Sequence, residues 1–437
     1  MRRGRPSAQA ALIELHDAHT LHADGTAHAS KMTHRWLLTR DFSLMWWSQV
    51  FSQVADGVSK LALLWFVYAI TGSPLKTAVI GLLQTLPPIV LGPFIGVMVD
   101  RLPKKAILIG SDLARGVLIG LIPCWVSVPN FTVESLYVLT LLYGIATAVF
   151  VPTLSSAVPF MVRRPQFTAA NALLQSTTSF GIIIGPALSG IGIAFSGSQE
   201  VLCMNAVTYL VSAACLLPIR LQGADFAHGE GIVTHMIRHM VEGVRYALIT
   251  HRRLLLLILM ASVYTFGTGA FTTLFPVFGR NLLGLGPVEV GYLWSWLGVG
   301  LFLTSLALIR LSAWSLRRRA FAIVASAVLG GAAVCALVWA RDFRVAALLV
   351  VCIGIGFGAW TPIAWGIIQE TVPSGMVGRV MAVYTAVATA TSMAGMSFFG
   401  WVAESFGSSA GVIGIGTVLF VLASAGSWFS RSVHASV

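Results

Sequence analysis

The stretch GPFIGVMVDRLPKKAILIG, Gly92 to Gly110, places a short charged turn between two apolar runs, 75–99 before it and 106–128 after it. Each run is long enough to cross a hydrocarbon core of ~30 Å, which takes ~17–25 apolar residues as a helix. Helices satisfy their own backbone in lipid, whereas a turn of Asp, Arg and Lys belongs among headgroups. The stretch reads as a helical hairpin that crosses a membrane twice.

Further runs of that length lie near 42–70, 133–153, 174–196 and 201–219, then near 254–279, 287–311, 320–340, 343–368, 378–403 and 410–430. The expectation is an all-α polytopic membrane protein of twelve transmembrane helices, six on each side of a polar break. Composition agrees: 437 residues, 57% hydrophobic and only 10% charged, with too few charges to cover a soluble surface. The 13 Trp suit the aromatic belts at membrane interfaces.

The net charge of +12 is a matter of placement. Of 28 Lys and Arg, 22 fall on the side shared by both termini, and four (Lys76, Arg280, Arg341 and Arg344) on the other. Lys60 and Arg115 lie within spans. By the positive-inside rule both termini are cytoplasmic and the spans lie in the inner (plasma) membrane. The basic balance is thus a topology device, not a nucleic-acid surface.

The chain divides into a cytoplasmic disordered tail (1–39), a six-helix half (40–220), a linker (221–253), a second half (254–430) and a short tail (431–437). The first tail lacks the apolar core of a signal peptide. In the linker Ile232, Met236, Met240, Val244 and Leu248 recur at helical spacing opposite His235, Arg238, His239, Glu242 and Arg245, as in an amphipathic helix on the membrane surface. The halves echo each other: GIATAVFVPTL (144–154) parallels GIGFGAWTPIA (354–364), with Pro152 matching Pro362, so they read as pseudo-repeats.

Some patterns carry no chemistry. The five cysteines sit in apolar runs without CxxC spacing and read as buried packing residues. His16, His19 and His22 read as a solvated stretch, so no metal site is expected. GSSAG (407–411) reads as a small-residue turn rather than a hydrolase elbow, and NFT (130–132) is a glycosylation sequon relevant only in a eukaryotic host. No phosphate-binding G-x-x-x-x-G-K-[ST] loop occurs, so ATP is not hydrolysed directly and no cofactor is expected.

Charges inside the spans are costly and mark pathways, at roughly 2.5–3.5 kcal/mol each on insertion scales. Asp56 and Lys60 stand four residues apart in SQVADGVSKL (52–61) and are expected to pair on one face of span one. Asp112 and Arg115 are placed to extend a charge network from the turn, in which Gly96 allows close helix approach and Lys104 and Lys105 anchor to headgroups. In GIIIGPALSG, Gly181, Gly185 and Gly190 form a flat packing face and Pro186 frees a carbonyl.

Taken with RDFSLMWWSQVFSQVADG (40–57), WFVYAITGSPL (65–75), FVPTLSSAVPFMV (150–162), AANAL (169–173), EGVRYALITHRRL (242–254) and VPSGMVGRVMAVY (372–384), these motifs resemble the major facilitator superfamily. The likeness is nearest to its enterobactin-exporter-like and macrolide-efflux-like branch. It implies alternating access, with Asp100 gating from the signature turn and Arg101 and Arg115 as its partners. GIIIGPALSG resembles the exporter motif of span five, departing from it at Ile191. The resemblance also marks Asp56 as a recurrent acid, hence a proton or substrate site; Lys60, where that branch commonly carries a neutral polar residue, and Gln53 are candidates beside it on span one. It places Tyr143, Tyr264, Trp360 and Trp365 on spans that line the central cavity.

The function expected is export of a small organic compound, siderophore or macrolide-like, by proton antiport. An uncharged, amphipathic or anionic compound fits the few buried acids, with Lys60 available to an anion. A lysophospholipid flippase and a non-transporting sensor or scaffold are the alternatives. No His, Asp, Ser and Cys cluster at one depth supports an enzyme. The expected partners are membrane lipids, substrate and protons, with the chain monomeric.

Overall fold

The computed structural model describes residues 39–126, 132–162, 166–221, 242, 244–310, 316–373 and 376–434, and the elements and contacts counted are those of the described residues. The elements are α1 (Arg40–Thr71), α2 (Pro74–Arg101), α3 (Lys104–Val126), α4 (Val133–Ala157), α5 (Phe167–Ser196) and α6 (Ser198–Leu216). After the linker come α7 (Arg252–Leu283), α8 (Pro287–Arg310), α9 (Leu316–Ala336), α10 (Phe343–Gly358), α11 (Trp360–Thr371), α12 (Val377–Phe406) and α13 (Ser408–His434). Eleven segments are long and apolar enough to cross a membrane, α10 and α11 counting as one, and Ser408–Leu422 of α13 adds a shorter twelfth. The chain is a multi-pass, all-helical membrane protein.

Alternate helices run in opposite directions and give the bundle two ends. The terminal face is where α1 begins and α13 finishes. The far face holds the tight turns between α1 and α2, α5 and α6, α7 and α8, and α12 and α13.

Those four turns show how the sequence repeats. Gly72 and Gly284, each at φ 64°, lead into α2 and α8, which open on Pro74 and Pro287. Gly197 (φ 99°) and Gly407 (φ 88°) precede α6 and α13. Left-handed backbone favours glycine, and proline suits a first helical turn whose N–H needs no partner. Packing repeats as well. In the first half α1 packs on α5 and α6, α3 on α6 and α4, and α2 on α4; in the second α7 packs on α12 and α13, α9 on α13 and α10, and α8 on α10. The halves meet along two seams, α5 with α8 and α2 with α12.

The span holding Pro362 is broken between α10 and α11 at Ala359, where the proline ring excludes the carbonyl a turn before it. Its counterpart Pro152 leaves α4 continuous. Large apolar side chains such as Val117, Val207, Phe321 and Leu348 face outward, as a lipid-facing surface requires.

Two expectations change here. All five cysteines are free thiols, but none is buried as expected: Cys124 on α3 and Cys203 on α6 are exposed, and Cys215, Cys335 and Cys352 are partly exposed. Of the linker helix only Glu242 and residues from Val244 onward are described, and Arg245–Thr250 is wound as a π-helix. The rest of that helix, and the tail with His16, His19 and His22, lie outside the described residues.

Candidate functional site

The polar residues of α1 form one stripe, Ser48, Ser52, Asp56 and Ser59, at close to helical repeat. They face a second stripe on α6, Asn205, Tyr209 and Ser212, with Asp112 and Arg115 of α3 between them. Arg115 is the hub. One of its terminal nitrogens donates to Asp56 at 3.0 and 3.2 Å. The other donates to Ser52 at 2.8 Å and forms an ion pair with Asp112. Its guanidinium lies over the rings of Phe150 and Tyr209, at 4.3 and 4.8 Å. A planar five-donor fork can serve two acids and a hydroxyl at once, which an ammonium cannot.

Both acids are further satisfied. Tyr209 donates to Asp56 at 2.6 Å, and the Tyr143 O–H is shared between the same carboxylate oxygen at 3.1 Å and the Tyr209 hydroxyl oxygen at 2.7 Å. Ser212 donates to Asp112 at 2.6 Å. Asn205 donates to Ser59 at 2.6 Å and to the Ala55 carbonyl at 2.9 Å, tying α6 to the same stretch of α1. Arg115 and Asp112 are wholly buried, whereas the Asp56 side chain keeps 24% of its surface. Two acids share one arginine, leaving one negative charge over.

This corrects the expected Asp56–Lys60 pair. Lys60 is exposed and lies over the ring of Trp294 on α8, 5.5 Å from its centre. Lys60 stands about 6 Å further along α1, where α8 is its neighbour, while Arg115 of α3 takes up Asp56. Gln53 faces α5: its carbonyl backs onto Gly181.

The signature turn does not join this network. Lys105 donates to the Leu217 carbonyl at 2.6 Å and Lys104 sits over the Phe160 ring at 5.2 Å, both within the first half. Arg101 is exposed. The Asp100 side chain lies outside the described ones, and Arg115, expected as its partner, is engaged by Asp56, Asp112 and Ser52. Gly96 was expected to admit a close helix, yet nothing lies within 4 Å of where its Cβ would stand. It lines a cavity instead. The glycines of α5 do meet backbone: Gly181 and Gly185 lie on Gln53 and Gly57 of α1, Gly190 lies on Pro287 and Gly291 of α8, and the Pro186 carbonyl reaches Gly291.

The aromatic candidates separate. Tyr143 belongs to the Asp56 network and is buried. Tyr264 and Trp360 stack at 5.1 Å and are buried too, so neither lines an open cavity. Tyr264 donates to the Phe357 carbonyl at 2.5 Å, capping the break before α11, and Trp360 donates to the Tyr384 hydroxyl at 2.9 Å. Trp365 is exposed and lines a cavity of about 1140 Å³ between α2 and α11–α12, with Gln84, Thr85, Ile89, Gly96 and Arg379 among its walls.

At the far face the halves are joined. Tyr68 donates to Asn281 at 2.6 Å, and Asn281 donates to Ser408 at 2.9 Å. Glu404 accepts from Ser73 at 2.6 Å and from the Leu75 N–H at 3.1 Å. Below these contacts every residue of α1 from Leu61 to Tyr68 is buried. The α2–α12 seam is therefore shut at the far face and hollow toward the terminal face.

Two packed halves meeting along α5–α8 and α2–α12, with a charged network on α1, α3 and α6, have the architecture of a membrane transporter. The model of the Major Facilitator Superfamily matches residues 45–396, and the chain belongs to that family. It is 22% identical over 387 residues to macrolide efflux protein A of Streptococcus pyogenes, covering 87% of this chain and 94% of that one. It is 25% identical over 379 residues to the multidrug efflux pump Tap of Mycolicibacterium fortuitum, covering 84% and 90%. Among solved structures, the nucleoside transporter NupG superposes with a TM-score of 0.70 at 12% identity, covering 91% and 99%. A bacterial homologue of the iron transporter ferroportin does so with a TM-score of 0.70 at 14% identity, covering 90% and 99%. The chain is thus a major facilitator transporter of small molecules, distantly related to drug and macrolide efflux pumps.

Proposed function

We propose that this transporter is a secondary active exporter, moving a small organic compound of siderophore or macrolide-like kind outward in exchange for a proton. The observation that carries the reading is the charge count of the buried network, two carboxylates on one arginine. Buried charge is tolerated when it is balanced. One proton on Asp56 balances the set, and its loss restores the surplus charge. The proton is assigned to Asp56 because its side chain keeps 24% of its surface, whereas those of Asp112 and Arg115 are wholly enclosed. Asp112, sealed beside Arg115, fixes the arginine in place.

The basic excess of the terminal face supports reading that face as cytoplasmic. The state described is then open inward and shut outward. Gain or loss of the Asp56 proton changes the balance around which the halves rock, so protonation is tied to the side that is open. Gln53 and Lys60, on the same helix, are assigned to substrate.

The test is efflux from proteoliposomes loaded in turn with a macrolide, a catecholate siderophore and a cationic dye. At least one compound is expected to move faster under an imposed pH gradient than after its collapse. Equal rates with and without the gradient for every compound moved would contradict proton exchange.

A further inference from the structure

The two seams between the halves are built on one plan. Gly190 stands seven residues before Gly197 and packs on Pro287 and Gly291; Gly400 stands seven before Gly407 and packs on Leu75 and Ala78, at the start of the helix that Pro74 opens. The same arithmetic sets Glu404 against Ala194. At that position the α2–α12 seam carries a carboxylate, and the α5–α8 seam carries a methyl group.

The carboxylate is used. The first turn of α2 has few free donors: Pro74 has no N–H, the Lys76 N–H bonds the Ser73 hydroxyl oxygen at 3.1 Å, and the Thr77 N–H bonds the Ser73 carbonyl at 3.1 Å. The Leu75 N–H and the Ser73 O–H are both taken by one Glu404 oxygen from the other half of the molecule. An anion at a helix N-terminus, accepting two hydrogen bonds, is a strong arrangement. It is also reversible, because Glu404 is exposed and water can replace either partner once the helices part. The α5–α8 seam, closed by glycine on backbone at Gly190 and Gly291, offers no such exchange.

We propose that Glu404 is the latch of the far face, and that transport opens and closes mainly along the α2–α12 seam while α5–α8 serves as the hinge. The latch and the cavity of about 1140 Å³ lie on the same pair of helices, at opposite ends. Parting at Glu404 and closure of the cavity are then one movement. Glu404 is a positioning residue for the transport cycle. The inference goes beyond proton exchange and needs only that the halves alternate.

The test uses the full chain in nanodiscs, without substrate or pH gradient, so it can fail while proton exchange stands, and the reverse. Two single-thiol reporters are made after the native cysteines are replaced: Ala78→Cys, buried in the far seam, and Gly92→Cys, on the cavity wall. Each is labelled with a soluble maleimide. Loss of two bonds to a charged acceptor predicts that Glu404→Ala raises labelling at Ala78→Cys by about tenfold and lowers it at Gly92→Cys. Glu404→Gln, which keeps an acceptor oxygen, falls between. Unchanged rates overturn the proposal. So does a rise at both reporters, which would mean general loosening rather than a shift from one open side to the other.

Discussion

At the scale of single residues, the buried charge among the described residues lies in one place. Arg115 binds two acids of different standing, Asp56 partly exposed and Asp112 wholly enclosed. Removing the cation strands both. Arg115→Leu is expected to lower stability by about 3–5 kcal/mol, the usual consequence of leaving buried charge unpaired. Thermal melting in nanodiscs checks this, and Asp112→Asn in the same background should recover part of the loss. Arg115→Lys should recover less than charge alone suggests, since an ammonium cannot hold Asp56, Asp112 and Ser52 in one plane. Lys60 differs in kind. It has an aromatic ring for a neighbour and no acid within ion-pair reach among the described residues, so Lys60→Gln is expected to leave the melting temperature nearly unchanged.

At the scale of elements, helix contacts rest on where glycine meets backbone. Gly185→Ala drives a Cβ into the backbone of Gly57, which has no side chain to move aside, and should cost about 1–3 kcal/mol by overpacking. Gly96→Ala meets open space and should change stability by less than about 1 kcal/mol, with the sign favouring alanine in a helix. Melting curves of the two variants side by side test the contrast. These glycines also mark how far the sequence could be read. Span lengths, the basic turns and the Gly181–Gly190 motif are local patterns, and lipid enforces them directly, so the fold was legible. Partner choice was not, because i, i+4 spacing brings Lys60 near Asp56 along one helix but cannot reveal an arginine arriving from another. The stripe of Asn205, Tyr209 and Ser212 on an otherwise apolar span was the available signal for the rest of the site. Tyr264 and Trp360 were misplaced for a related reason: sequence spacing does not show that they stack across two helices, or that Tyr264 reaches the Phe357 carbonyl at the break before α11.

At the scale of the whole molecule, the repeat makes two equivalent seams and the sequence then makes them unequal. Gly400→Ala pushes against Ala78 in the latched seam and should shift the population toward the far-face-open form. Gly190→Ala presses on the backbone of Pro287 and Gly291 in the hinge and should chiefly lower stability. Distances between spin labels on α2 and α12 separate these outcomes. The measurement that tests the central claim most directly is proton movement in proteoliposomes, recorded with a trapped pH indicator as a transported compound is added. The native protein should show compound-driven proton flux, Asp112→Asn should retain part of it, and Asp56→Asn should show none while still binding the compound. Undiminished proton flux in Asp56→Asn would contradict the account, because the proton would then travel by a route that the Asp56–Arg115–Asp112 network does not carry.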